Sequence, residues 1–376
     1  MSAYSGPVVD VDVHHSLVDD RDIADYLPAE WRHIVRPGFS MTPPMNVDGV
    51  LRVGSFLRGD TVTDKGGPGG SDYETMRRQL LDGGNFATYR ALLTHQLGEY
   101  GCHPNQYLSR VLARAANDWT VDAWLARDER LFSCIVIPLA EPEEAAKEIR
   151  RLAVHPQMCG VLMTGNPLGR PIGDPLFHPI FAAAAECDLA VVAHLPTCVQ
   201  PTMGSVAAGG RYAYMGALTL HSQQAVHYLS SLIVHGVFER FPTLRVLLLE
   251  YAIGWIPSVL YRMDDAVDML RAESPWVKDL PSEYVRRHVK FSTQPLEESF
   301  DDHSALFDML RTFDGIEDLL CFSSDYAHNA MDEPSYVARR LPAEWREKIM
   351  HRNATEMLRL RIHDAAGVWG WFDSGA

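Results

Sequence analysis

Residues 8–15 read VVDVDVHH, an apolar run that carries Asp10, Asp12 and His14 at every second position. Side chains two apart on a strand share a face, so valines would line one side and two carboxylates with an imidazole the other. A plain core strand does not look like this. Further short apolar runs follow at ATYRALLT (87–94), LFSCIVIPL (131–139), MCGVLMT (158–164) and LAVVAHLP (189–196). The series continues with LRVLLLEY (244–251), VKFSTQ (289–294) and LLCFSSDY (319–326). Amphipathic stretches such as PEEAAKEIRRLAV, PLFHPIFAAAAECD and QQAVHYLSSLIVHGVFERFP separate them, several opening on a proline that suits the first helical turn. Strands alternating with helices imply parallel pairing. Eight of them in 376 residues predict an α/β fold of the (β/α)₈ TIM-barrel type. An open doubly wound sheet would want a Gly-rich phosphate turn after an early strand. GGPGG (66–70) stands too far from any strand for that and reads as a flexible loop.

Two stretches break the rhythm. Residues 36–86, rich in Pro and Gly, separate the first two strands, and residues 196–222 separate the fifth strand from its helix. Both leave the C-terminal ends of strands, where barrels carry their active sites, so both are expected to be active-site loops. The stretch 332–376 reads as helical closure of the barrel, and no linker divides the chain, so 1–376 is expected to be one domain. The formal net charge of −15 argues against a nucleic-acid partner or an anionic membrane surface. No apolar run approaches the length of a membrane span, and MSAYSGP lacks the features of a signal peptide; a soluble, cytoplasmic protein is expected. The six cysteines are scattered and read as mostly buried free thiols, with Cys198 beyond the fifth strand the one candidate nucleophile.

Ionisable residues recur where strands end. Asp12 and His14 end the first strand, His194 the fifth, Glu250 the sixth and Asp325 the eighth. Buried charges are costly unless paired or bound to a metal. Imidazoles and carboxylates drawn from separate strands make a mixed N/O site for one divalent cation, Zn²⁺ or Mn²⁺.

D-x-D-x-H in the first strand, the strand-five histidine and S-D-Y in the eighth resemble the amidohydrolase superfamily. More narrowly, they are similar to the amidohydrolase-related branch that contains aminocarboxymuconate-semialdehyde decarboxylase and hydroxybenzoate-type decarboxylases. Softer similarity runs through AANDWTVDAWLARDERLF, GVFERFPTLRVLLLE, IGWIPSVLYRMD, FSTQP, SSDYAH and RNATEML. The resemblance implies Asp12, His14, His194 and Asp325 as metal ligands, a small carboxylic acid as substrate and a homodimer. This chain departs from the branch in two places. Asp12 stands where H-x-H or E-x-H is common, which makes the site more anionic and tilts it towards Mn²⁺. Glu250 stands where the decarboxylases carry a strand-six histidine.

Asp325, Glu250, His328 and His221 are therefore the candidate catalytic residues, with His328 in the strand-eight loop and His221 in the loop before a helix. His15 adjoins the ligand strand, and His227 and His235 read as packing residues within the helix. Asp10 is expected one step deeper on the ligand face, accepting hydrogen bonds rather than binding metal. Non-oxidative decarboxylation is the leading expectation. Metal-dependent hydrolysis of an ester, lactone, amide or activated C–C bond is the alternative, and a non-catalytic ligand-binding barrel is the remote one. Phe56, Tyr73, Phe86, Tyr212 and Tyr214 in the two insertions would suit an aromatic acid, and Arg58 and Arg211 its carboxylate.

Overall fold

A computed structural model describes residues 4–35, 57–63, 66–94, 96–165, 167–194, 214–297, 303–363 and 369–371. The expected strands form in order: β1 (Val8–Val13), β2 (Tyr89–Leu93), β3 (Leu131–Val136) and β4 (Met158–Thr164). After them come β5 (Ala190–His194), β6 (Val246–Leu249), β7 (Val289–Ser292) and β8 (Leu320–Cys321). They make one eight-stranded sheet in sequential order with parallel neighbours throughout. Helices lie between them, including 106–123, 142–152, 178–186, 214–234 and 256–270. This is the (β/α)₈ barrel that the alternation predicts.

Closure is achieved beyond the regular ladder. The β8 ladder stops at Cys321, yet the segment after it still bonds to β1: the Val11 N–H donates to Phe322 O at 3.1 Å and the Asp325 N–H to Asp12 O at 3.0 Å. The His14 N–H then donates to Tyr326 O at 2.5 Å. Asp325 is thereby pinned beside the ligand strand.

The barrel interior below the mouth is apolar. Val9, Val11, Leu92, Phe132, Cys134, Ala190, Val192, Leu247 and Leu249 belong to one buried cluster. Ala354, Met357, Leu358 and Leu360 join it, so the helix Asn353–Leu358 plugs the lower end. The Asn353 Nδ2 group fastens that plug by donating to Leu320 O at 2.7 Å. Beyond it the chain is not helical as expected: Arg361–His363 and Trp369–Trp371 pair as an antiparallel hairpin.

One irregularity decides where the polar residues of β1 point. Asp10 is paired with Ala91 and Val13 with Leu93, so three steps on β1 oppose two on β2. This is a β-bulge, which lets two successive residues face the same side. Val11 and Asp12 both turn inward, Val11 into the apolar cluster and Asp12 to Thr94. Asp10 therefore faces outward, against Tyr89, and does not lie on the ligand face as regular alternation predicts.

The insertions also differ from expectation. The helical stretch Tyr73–Met76 continues as Arg77–Leu81 and buries Met76, Leu80 and Leu81, so the end of 36–86 is core rather than loop. GGPGG packs against the ligand strand: the Ser16 N–H donates to Gly70 O at 2.9 Å. Gly70 has φ +80°, and any Cβ there would collide with His14 O, so glycine is required. Likewise the helix Tyr214–Val234 starts within 196–222 and carries His221, which is not on a loop. Among the described residues no helix is long and apolar enough to cross a membrane.

Candidate metal centre

Four side chains meet at the mouth of the barrel. His14 Nε2 lies 3.5 Å from Asp12 Oδ1 and 3.0 Å from Asp325 Oδ1, and His194 Nε2 lies 3.3 Å from Asp12 Oδ2. The ligand atoms of Asp12, His14 and His194 lie within 4.8 Å of one another, and so do those of His14, Asp325 and His328. All except His328 are buried. Among the described residues, Asp12 Oδ2 and both ring nitrogens of His14 make no regular hydrogen bond although they are buried. Buried carboxylate oxygens and imidazole nitrogens crowded together without well-formed hydrogen bonds fit a bound cation. These oxygen and nitrogen donors suit a borderline or hard divalent ion.

Neighbours fix the candidate ligands. The Thr94 hydroxyl donates to Asp12 Oδ1 at 2.5 Å. Gln294 Nε2 donates to Asp325 Oδ2 at 3.0 Å. Outward-facing Asp10 accepts from the Tyr89 hydroxyl at 2.7 Å, the Ser324 hydroxyl at 2.5 Å and the Ser324 N–H at 2.8 Å. It thus ties β1 to the residue before Asp325, the acceptor role expected of it. Burial pushes its carboxyl up to about 7 against those bonds.

The backbone at the two loop carboxylates is unusual. Glu250 has φ +67° and Asp325 φ +59°, a region that side-chain-bearing residues seldom adopt. Such conformations persist only where surroundings hold them. The Glu250 N–H donates to Ser292 Oγ at 2.9 Å, and its side chain reaches within 3.6 Å of His194 Nε2.

The protonation states of these protein groups diverge. Burial alone would raise Asp12, but His194 and His14 beside it hold it below the usual range. Burial opposes Asp325 ionising as well, yet His328 and His14 hold it well below the usual range. Against the cost of burial, Asp325 Oδ1 at 2.6 Å raises His328 to about 9. Burial, with the Asp325 charge, raises Glu250 to about 8. His14 is lowered by burial and by the neighbouring His328, whose ring centroid is 4.2 Å away. His221 is lowered to about 4, chiefly by burial and then by His194. Its coupling to His194 and Asp325 brings a neutral ring near the site.

Other candidates lie elsewhere. His15 turns into the helical layer, its Nε2 2.9 Å from Thr120 Oγ1 and its ring stacked on Trp119. Arg58 is engaged by Asp60 and Glu333, at 2.6 and 2.7 Å. Tyr73 donates to Asp128 at 2.8 Å, and Phe86 packs on Tyr4 and Tyr89 at the entrance to β2, away from the mouth. His227 is exposed rather than packed. Phe56, Cys198, Arg211, Tyr212 and the side chain of Tyr214 lie outside the described residues. Sequence reasoning missed Thr94 and Gln294. Their only signal is a polar residue at the end of an apolar run, in ALLT and FSTQ.

The profile of the Amidohydrolase family matches residues 11–360. Gamma-resorcylate decarboxylase of Rhodococcus jostii (strain RHA1) is 25% identical over 236 residues, covering 59% of this chain and 67% of that protein. The crystal structure of 5-carboxyvanillate decarboxylase from Sphingomonas paucimobilis superposes with a TM-score of 0.65 at 21% identity, covering 94% of this chain and 99% of that one. Dihydroxybenzoic acid decarboxylase from Polaromonas sp. JS666, solved with manganese and the inhibitor 2-nitroresorcinol, gives 0.69 at 17% identity, covering 97% and 99%. With the family profile running from within β1 past the strand-eight loop, the chain belongs to the amidohydrolase family.

Proposed function

We propose that this chain is a metal-dependent carboxy-lyase that removes CO₂ from a small aromatic acid of the hydroxybenzoate type. The observation that carries the reading is the convergence of Asp12, His14, His194 and Asp325, with buried donor atoms left without regular hydrogen bonds among the described residues. The names of the relatives support the substrate class, and the manganese in one of them supports Mn²⁺ over Zn²⁺. The proposal includes a single barrel domain over 1–376 that works as a cytoplasmic homodimer, which size-exclusion chromatography with light scattering tests.

Asp12, His14, His194 and Asp325 would hold the cation, which supplies Lewis-acid polarisation of substrate oxygens. Glu250 keeps its proton at neutral pH and can deliver it to the ring carbon that bears the carboxylate. The electron pair of the C–C bond then returns to the ring as CO₂ departs. His328, charged and fixed by Asp325, holds a second proton at the mouth and can resupply Glu250. Neutral His221 serves as a hydrogen-bonding group towards the substrate.

The test is incubation of Mn²⁺-loaded protein with a panel of hydroxybenzoates, following CO₂ and arene together. Equal yields of the two are expected. His194→Ala should retain the fold and lose Mn²⁺, with turnover down roughly 10²–10³-fold or more, as for loss of a charge-stabilising group. Hydrolysis of aryl esters or lactones without any CO₂ release would overturn the lyase reading in favour of a hydrolase.

A further inference from the structure

We propose that Gln294 is a positioning residue that decides which oxygen of Asp325 is offered to the cation, and thereby sets metal affinity. The inference rests on the metal-dependent reading above. Gln294 follows the end of β7, is fully buried, and stands beside the segment that follows β8. Its Nε2 has two neighbours, Asp325 Oδ2 at 3.0 Å and Ala330 O at 3.1 Å. Both are acceptors, so the amide has a single workable orientation. Its Oε1 is buried and receives no hydrogen bond among the described residues. The side chain therefore carries the cost of an unsatisfied carbonyl while both N–H groups are used.

The consequence falls on Asp325. With Oδ2 occupied by the amide, Oδ1 is the oxygen turned towards His14 Nε2 at 3.0 Å and His328 Nδ1 at 2.6 Å. The carboxylate has positive backbone φ and leaves a strand end whose regular ladder stopped at Cys321. Its rotation is held at one end by Gln294 and at the other by the two imidazoles. The same amide reaches Ala330, beyond His328, so it also ties the loop that carries His328. Groups that orient a ligand from behind change metal affinity typically by 10–100-fold.

The experiment measures Mn²⁺ binding by the EPR signal of the free ion for wild type, Gln294→Leu and Gln294→Asn. Leu keeps the volume without the donor; Asn keeps the amide but is one carbon too short to reach. In each variant we expect the Mn²⁺ dissociation constant to rise roughly 10–100-fold. The bound-ion spectrum should change, and the rise in Tm produced by saturating Mn²⁺ should shrink. A purely structural role would lower the Tm of chelator-treated protein and leave the dissociation constant and spectrum alone; that result overturns the proposal. Should the Leu variant fail to fold, the Asn variant decides by the same measures. Failure of wild type itself to bind Mn²⁺ would count against the metalloenzyme reading, and is told apart because it appears before any substitution.

Discussion

Val192 and His194 lie two residues apart on one face of β5, yet they belong to different interiors. The lower half of the barrel is closed by shape. Val192 sits among side chains with no polar atom to satisfy, and the helix Asn353–Leu358 stops the end. Its stability comes from buried apolar area, and apolar side chains of similar volume would serve. The upper half is closed by charge. Asp12, His14, His194, Glu250 and Asp325 crowd within a few ångströms, and their protonation depends on one another. The lower floor tolerates exchange of hydrophobic groups, whereas the upper floor tolerates little exchange because each charge leaves its neighbours uncompensated. A barrel can thus keep its fold while the groups at its mouth change.

The contrast breaks if substitutions fail to separate by floor. Glu250→Gln should have the largest effect on chemistry. Turnover falls roughly 10²–10⁴-fold, the usual worth of a positioned acid or base, while Mn²⁺ content stays near wild type. A normal rate and pH profile would remove Glu250 from catalysis and leave His328 as the acid. Loss of metal instead would make Glu250 a ligand.

Leu247→Ala on the lower floor should do the reverse. It should cost about 2–5 kcal/mol in denaturant unfolding, as for a large-to-small change in a packed core. Turnover per folded molecule and Mn²⁺ affinity should be unchanged. A variant that kept its stability but lost turnover would erase the distinction between the floors.

The upper floor should also make metal-free protein sensitive to alkali. His328 is raised from 6.5 to about 9, so its contribution is complete below 6.5 and disappears as pH rises through 9. Glu250 is raised from 4.5 to about 8, so the folded state retains a proton that the unfolded chain gives up, and stability again falls with rising pH. The two effects share a sign. Chelator-treated protein should lose a few °C in Tm between pH 6.5 and 9; a Tm that rises across that range would contradict the assigned protonation states. Arg58→Ala should matter least. Its carboxylate partners are themselves half exposed, and such pairs are worth about 0–1 kcal/mol. A KM raised tenfold would show that Arg58 reaches the substrate after all.

The strands were legible because each is a compact apolar run that few other structures explain. The metal-site candidates were legible too, since Asp12, His14, His194, Glu250 and Asp325 each interrupt such a run at its end. What escaped depends on the partner across the space. The outward turn of Asp10 follows from its register with β2, which β1 alone does not encode. The packing of GGPGG against His14 O is a long-range approach, so composition suggested only slack. Thr94 and Gln294 are neutral, and their importance comes wholly from the carboxylates they touch.

The bulge in β1 has a further consequence for how this chain can diverge. Without it, the inward phase of Val9 and Val11 would carry on to Val13, and Asp12 and His14 would point at the helices. One surplus residue shifts the pleat by half a period and separates the rhythm of the floor from that of the mouth. The polar end of the strand is therefore set by counting as much as by chemistry. A point substitution at Val11 alters the filling of the core, whereas inserting one residue above it would rotate Asp12 and His14 out of the barrel at once. Length at this spot should accordingly be guarded more closely than identity.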